Sequence, residues 1–260
     1  GHPLVTPEIT KKTLEKLRIH AFYIIRNELK YLAQKLSIYH NISDVSDNFA
    51  ARIKALREEI GVNADVELEE HAEEIFKAYV LVLIQKIPID LSREFNLELE
   101  NKPNSYRKSV DLIADLSLLH DELESCGIGK VAHVDVGWAK RILKIFGFHL
   151  AKLDIRQNSD YHEKALRQLV AASLGTDAAA RIEDSQAARR AFLDRELKIN
   201  RPFLVQHKSL DPEGRNVIGA FEVVSDHVQR YTPNAFGKLI VSMTRNTEDL
   251  LTVYLFMREV

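Results

Sequence analysis

The chain has 260 residues, of which 45% are hydrophobic and 28% charged, the composition of a globular protein with a large core. Its net charge of −2 gives no electrostatic basis for nucleic acid or an anionic membrane as the main partner. The single cysteine, Cys126, excludes a disulfide framework and a cysteine-rich zinc site. The sequence has neither an apolar stretch of membrane-spanning length nor a signal peptide at its start, so we expect a cytoplasmic protein.

Both ends have the character of internal sequence. The chain has no initiator methionine and opens on Gly1-His2-Pro3. It closes on an apolar helical pattern over 250–260 that carries no stop signal. We therefore expect a segment of a longer protein.

The first half is predicted to be helical. Thr6 is a candidate N-cap, with Pro7 at the first helical position. Apolar residues then recur at steps of three and four, which predicts a long helix over 7–39. Further helices are predicted over 47–60, 67–87, 104–125 and 134–147.

The pattern changes after Gly147. Strands are predicted over 148–157 and over 236–244, and the second of them is rich in branched apolar residues. A final helix is predicted to be capped by Asn246 or Thr247, with Asp249 in its first turn. The helices predicted between the two strands span 160–174, 185–200 and 210–231.

This order of elements predicts a mainly α fold with some β structure. We expect a helical bundle over 1–147 and part of an α/β barrel of the TIM type, with helical insertions, over 148–260. An all-helical fold is the alternative, because short apolar runs do not distinguish a strand from a buried helix.

Three ionisable side chains share one face of the first predicted strand: Lys152, Asp154 and Arg156. Arg156 lies at the carboxyl end of the strand, where α/β barrels place their sites, and arginine suits bidentate binding of phosphate. The same pattern also fits a buried Lys-Asp-Arg network or an exposed edge strand. Both interpretations stay open on the pattern alone.

Other candidate sites are weaker. His71 lies among Glu70, Glu73 and Glu74, a pattern more typical of a solvated helix face than of a metal site. Neither predicted strand is followed by a glycine-rich phosphate loop or a nucleophile elbow. No metal site is predicted in this chain.

A stretch around the first strand resembles a signature region of the phosphoenolpyruvate carboxylase family. It reads Phe-Gly-Phe-His-Leu-Ala-Lys-Leu-Asp-Ile-Arg-Gln over 146–157 and is followed by Ser159 and His162. Other family landmarks occur in the family order along essentially the whole chain. The first is Gly1–Thr6, which resembles the tail of an Asp-Gly-Asn-Pro turn with His2 in place of Asn. The second is Arg195-Glu196-Leu197 with Arg201-Pro202. The third is Val241-Ser242-Met243-Thr244 with Asp249-Leu250-Leu251.

The resemblance implies a large, mostly helical lyase around an eight-stranded barrel, usually a homotetramer. Such an enzyme joins bicarbonate to phosphoenolpyruvate with Mg²⁺ or Mn²⁺, giving oxaloacetate and phosphate, a carbon-dioxide-fixing step that feeds the tricarboxylic acid cycle. In the family, the arginine of Leu-Asp-Ile-Arg-Gln helps to hold the substrate phosphate. The resemblance therefore implies this role for Arg156, with Lys152, Asp154 and Gln157 supporting it.

The chain departs from the family pattern in what it lacks. The catalytic histidine of a Thr-Ala-His-Pro-Thr-like motif has no counterpart here, and His2-Pro3 belongs to a different landmark. The family's acidic metal ligands and its glycine- and arginine-rich catalytic loop lie downstream of the matching segment. We therefore expect this chain to form one wall of the enzyme's active site. Alone, it should bind no metal and have no activity. The alternative is a non-catalytic helical scaffold or regulatory module that retains the fold.

Overall fold

The computed structural model describes residues 6–90, 98–100, 102–200 and 210–260. The described chain is mainly helical and contains a two-stranded sheet, which confirms the mainly α prediction with some β. It forms two compact units: one is Glu15–Ala151, and the other joins Lys152–Val260 to the chain up to Leu14. The domain ranges 1–147 and 148–260 stay predictions.

The unit Glu15–Ala151 is built from helices around α4 (Ile75–Gln85). Eight of the eleven residues of α4 are buried, so this helix is apolar nearly all round and lies at the centre of its core. Phe49 packs against it, with its ring 4.6 Å from that of Tyr79. The other helical segments are α1 (Pro7–Lys35), which begins in the other unit, α2 (Asp47–Ile60), α3 (Val62–Glu70), α5 (Ser109–Ser125), α6 (Gly129–Val131), the π-helical segment Ala132–Val136 and α7 (Gly137–Phe146).

The second unit alternates strands and helices. β1 (Leu153–Asn158) and β2 (Phe236–Ser242) pair in parallel, which excludes the all-helical alternative. Leu166, Phe221 and Phe256 are buried in a second core beside the sheet. The helices of this unit are α8 (Ser159–Leu174), α9 (Thr176–Asp184), α10 (Gln186–Glu196), α11 (Pro212–Arg230) and α12 (Thr247–Glu259).

Capping residues set the starts of two helices as expected. The Thr6 hydroxyl accepts a hydrogen bond from the Ile9 amide at 3.2 Å, so Thr6 caps α1. Asn246 caps α12 by accepting a hydrogen bond from the Asp249 amide at 3.1 Å. The landmarks Gly1–Val5 and Arg201-Pro202 lie outside the described residues.

Several of the predicted helices are wrong in their extent. The pattern over 67–87 is broken between α3 and α4, because the Ile75 amide donates to the His40 carbonyl at 3.1 Å. The first helix ends at Lys35 rather than 39. The region 185–200 contains the shorter α10, and α9 before it has no counterpart in the prediction.

The first predicted strand also begins too early. Gly147 and Leu150 have φ values of 51° and 60°, so the backbone turns here instead of extending. The Leu150 amide donates to the Phe146 carbonyl at 2.8 Å, which closes this turn. β1 therefore begins at Leu153.

No helix in the described part of the chain combines the length and the apolar character needed to cross a lipid bilayer.

A buried carboxylate links three elements of the helical unit. Asp115 on α5 accepts hydrogen bonds from Arg52 Nε at 2.7 Å and from the Tyr106 hydroxyl at 2.5 Å. Burial raises the pKa of Tyr106, and the charge of Asp115 raises it further, so the hydroxyl stays protonated and donates. The ion pair therefore has hydrogen bonds from two directions, which offset its desolvation.

We expect Asp115→Asn to lower the free energy of unfolding by about 2–3 kcal/mol, because Arg52 and Tyr106 lose an anionic acceptor. Urea denaturation of the chain measures this change. Asp111→Asn on the exposed side of the same helix is the control and should cost less than about 1 kcal/mol. Equal stability of the two variants would contradict this account.

Candidate functional site

The two faces of β1 differ in burial as the alternation predicts. Ile155 and Gln157 are buried, whereas Asp154 and Arg156 are exposed, together with Lys152 just before the strand. The hydrophobic effect sorts the strand in this way because the apolar face lies on the helical core. The structure therefore brings Lys152, Asp154 and Arg156 to one face. We call it the charged face.

The opposite face of the sheet is apolar. Leu239 and Val241 of β2 pack against the core that includes Phe221 and Phe256. A cleft of about 170 Å³ remains between this face and α11, lined mainly by apolar side chains. It offers few groups for chemistry, so the charged face is the stronger candidate site.

Arg156 occupies the carboxyl half of β1, paired in register with Ile240 of β2. Its side chain is exposed and has no hydrogen bond or ion pair with any residue that the structure describes. An arginine held on a strand without an internal partner keeps its N–H donors available to an anionic ligand.

Asp154 is held in place by the neighbouring strand. Its carboxylate accepts a hydrogen bond from the Lys238 amide at 2.8 Å. A Cβ at Gly237 would overlap this carboxylate, so the absence of a side chain there is what allows the contact. Asp154 is therefore a fixed negative charge between Lys152 and Arg156 along β1.

Gln157 lies on the buried face and not on the charged face. Its side-chain oxygen is 2.8 Å from His162 Nε2 on α8, which therefore donates to it. Burial lowers the pKa of His162 to about 4, although the nearby Asp249 acts in the opposite direction. His162 is consequently neutral near pH 7. The side chains of Gln157 and Arg156 lie on opposite faces of β1, so the two residues are connected only through the strand backbone.

An ion-pair network ties the loop after β2 to two helices. Arg245 contacts Asp160 at 3.1 Å and Glu163 at 2.7 Å on α8, and Asp249 at 3.2 Å on α12. Burial alone would raise the pKa of Asp249, but hydrogen bonds from Arg245 outweigh it and lower that pKa. The carboxyl ends of both strands are thereby held together.

Sequence reasoning did not find the role of Arg245. The sequence places Asp249 in a first helical turn, but the partners of Arg245 on α8, Asp160 and Glu163, are more than 80 residues before it along the chain. The sequence signal available was an arginine in a strand-to-helix loop, which is too common to indicate a network.

Mg²⁺ requires several oxygen ligands in octahedral geometry. Asp154 is the one carboxylate on the charged face within the described residues, and it already accepts a hydrogen bond from Lys238. Lys152 and Arg156 flank it along the chain. These residues therefore do not fit a magnesium site, and they suit an anion instead.

We expect the chain to lose stability as the pH falls from about 6.5 to 4, because the unfolded chain protonates His162 before the folded chain does. Protonation of His162 should lower the free energy of unfolding by roughly 2 kcal/mol between pH 7 and pH 5. Urea denaturation at both pH values measures it, with His162→Gln as the variant that does not titrate. The same pH dependence in both proteins would contradict the assignment.

The parallel β–helix–β unit, with helices on one face and charges on the other, defines an α/β class of fold embedded in a helical protein. The comparison with protein families then identifies the family. The family model described as phosphoenolpyruvate carboxylase matches residues 1–260, so the chain belongs to the phosphoenolpyruvate carboxylase family.

Curated proteins agree with this assignment. The chain is 29% identical over 266 residues to a phosphoenolpyruvate carboxylase of Rhodopseudomonas palustris strain BisA53, and 31% identical over 268 residues to that of strain HaA2. A third relative is the phosphoenolpyruvate carboxylase of Aeromonas hydrophila, with 29% identity over 263 residues. Each comparison covers 100% of this chain and 27% of the relative, so the chain spans about a quarter of the length of these proteins. The family predicted from the 146–157 stretch is confirmed.

Proposed function

We propose that this chain is a segment of a phosphoenolpyruvate carboxylase and that it contributes Arg156 to the site for the substrate phosphate. The observation that carries this proposal is an exposed guanidinium on β1, without an ion pair among the described residues. Family membership supplies the chemistry, because relatives over the whole chain are named for this enzyme.

We propose further that β1 and β2 are two strands of an α/β barrel. Barrel strands are parallel, follow one another through helices and are covered by helices on the outer face. β1 and β2 meet these three conditions within the described residues. In this arrangement the charged face is turned towards the barrel interior, and Arg156 lies towards the carboxyl ends of the strands, where barrel enzymes bind their substrates.

The chemistry asked of Arg156 is electrostatic. A guanidinium presents parallel N–H donors to two oxygens of a phosphate, so it orients the group and offsets its charge as the group transfers to bicarbonate. Lys152 adds a second positive charge to the same face, and Asp154, held by the Lys238 amide, places a fixed negative charge two residues before Arg156. Gln157 contributes from the buried face, where it fixes β1 to α8.

The remaining groups of the reaction are proposed to come from the rest of the enzyme. The sequence has no Thr-Ala-His-Pro-Thr-like motif, and the charged face does not fit a magnesium site. Bicarbonate, Mg²⁺ or Mn²⁺ and the homotetramer thus belong to the proposed intact cytoplasmic lyase, which would supply oxaloacetate to the tricarboxylic acid cycle. The segment alone is proposed to be inactive.

We expect Arg156→Ala in the intact enzyme to reduce kcat/KM for phosphoenolpyruvate by about 100-fold, since a charge-assisted phosphate contact is worth up to about 3 kcal/mol. Arg156→Lys should recover only part of this loss, because lysine keeps the charge but not the planar fork. Steady-state kinetics with varied phosphoenolpyruvate and saturating bicarbonate measure both variants.

Arg181→Ala is the matched control, because Arg181 is an exposed arginine on α9 in the same unit. It should leave kcat/KM unchanged. If Arg156→Ala also left kcat/KM unchanged, the phosphate role would be wrong, and a scaffold or regulatory role for the segment would be favoured instead.

The isolated chain should show no oxaloacetate formation from phosphoenolpyruvate and bicarbonate in the presence of Mg²⁺ or Mn²⁺. The physical reason is that the proposed charged face holds an anion but provides no metal ligands. A coupled assay for oxaloacetate measures this, with the intact enzyme as the positive control. Metal-dependent turnover by the chain alone would overturn the proposal that its catalytic groups lie elsewhere.

A further inference from the structure

A pair of histidines lies in the helical unit Glu15–Ala151, which contains neither β1 nor β2. His120 and Glu124 are one turn apart on α5, and His133 belongs to the π-helical segment Ala132–Val136. One potential ligand atom from each of these three side chains lies within 4.8 Å of the others. The sequence offered no metal motif here because the histidines are 13 residues apart on different helices.

The two histidine rings are oriented by carboxylates. His120 Nδ1 lies 3.1 Å from Asp121 Oδ1, and His133 Nε2 lies 3.2 Å from Glu124 Oε1. A carboxylate favours the proton on the ring nitrogen beside it, through a hydrogen bond at His120 and through its negative charge at His133. In the neutral rings, this leaves lone pairs on His120 Nε2 and His133 Nδ1.

Those two nitrogens face each other at 3.3 Å. Two lone pairs at this distance repel unless a cation lies between them. Two nitrogens bound to one tetrahedral zinc ion at 2.0–2.1 Å are about 3.3–3.4 Å apart, so the observed separation fits a shared metal ion. Imidazole nitrogen is a ligand that suits zinc, copper and nickel, whereas Mg²⁺ prefers oxygen.

The local backbone supports this arrangement. The π-helical segment widens one turn of the helix that runs from Gly129 to Phe146, and such turns occur frequently at functional sites. A Cβ on Gly129 would come within 2.7 Å of Glu124 Oε1, so the missing side chain leaves room for the carboxylate. The His133 side chain is 68% exposed, which gives an ion access from solvent.

We propose that His120 Nε2 and His133 Nδ1 bind a divalent transition-metal ion such as Zn²⁺, with Asp121 and Glu124 orienting the rings and water completing the coordination. This site is independent of Arg156 and of the proposed carboxylase reaction. The competing explanation is that a proton occupies the space between the two nitrogens.

Isothermal titration of the full chain with ZnCl₂ near pH 7.5 tests the proposal. The parent should bind one more equivalent of Zn²⁺ than either His120→Asn or His133→Asn. Glu124→Gln should weaken this binding by about 10-fold to 100-fold, because the carboxylate no longer holds the His133 ring. Circular dichroism checks that the exposed His133 variant remains folded.

Two controls separate this site from other zinc donors. His71→Asn removes a histidine that also lies beside a carboxylate, Glu74 at 3.5 Å, and should bind zinc like the parent. The whole series is repeated with Cys126→Ser, because Cys126 Sγ lies 3.6 Å from His40 Nε2 and these atoms offer zinc another donor pair.

Nitrogen NMR of the histidine side chains identifies the ligand atoms. Zinc should shift His120 Nε2 and His133 Nδ1 and leave the signals of His71 in place. The proposal is wrong if His133→Asn binds zinc with the stoichiometry and affinity of the parent, or if the parent binds no zinc in the Cys126→Ser background.

Discussion

Parallel hydrogen bonding between β1 and β2 is the constraint on which the candidate site depends. The pairing brings together two segments that are about 80 residues apart in the chain and sets Arg156 opposite Ile240. It also gives the sheet one apolar face, which the helices cover, and one face where charges remain in solvent. Without the second strand, Asp154 would lose the Lys238 amide as its hydrogen-bond donor.

The supports of this sheet differ in physical character. On the buried side, apolar packing and the neutral His162–Gln157 contact hold β1 against α8. At the carboxyl ends, Arg245 joins α8 and α12 through three carboxylates. The charged face itself has little internal pairing, because its cations lie in water and desolvation does not force them to find partners. That asymmetry leaves the Arg156 guanidinium exposed and without an ion pair among the described residues.

The helical unit contains a different kind of polar organisation. Asp115 is buried and bonded to Arg52 and Tyr106, which is a structural use of charge. The His120–His133 pair joins a half-buried ring to an exposed one and has two nitrogens directed at each other, a geometry that a cation stabilises. Burial with complete hydrogen bonding distinguishes the first cluster, and facing lone pairs distinguish the second.

Local patterns in the sequence were sufficient for several features. Thr6 and Asn246 as helix caps depend on contacts within four residues, and the position of Lys152, Asp154 and Arg156 on one face follows from the two-residue period of a strand. The 146–157 stretch also identified the family, since it is a continuous run of specific residues.

Tertiary structure decided what depends on distant partners. The break before α4 requires the His40 backbone, and the place of Gln157 requires His162 across the buried face. Arg245 meets its α8 carboxylates, and His120 meets His133, only after separate helices have packed. The physical reason is the same in each case: local periodicity determines which face a side chain occupies, but packing determines which group it meets there.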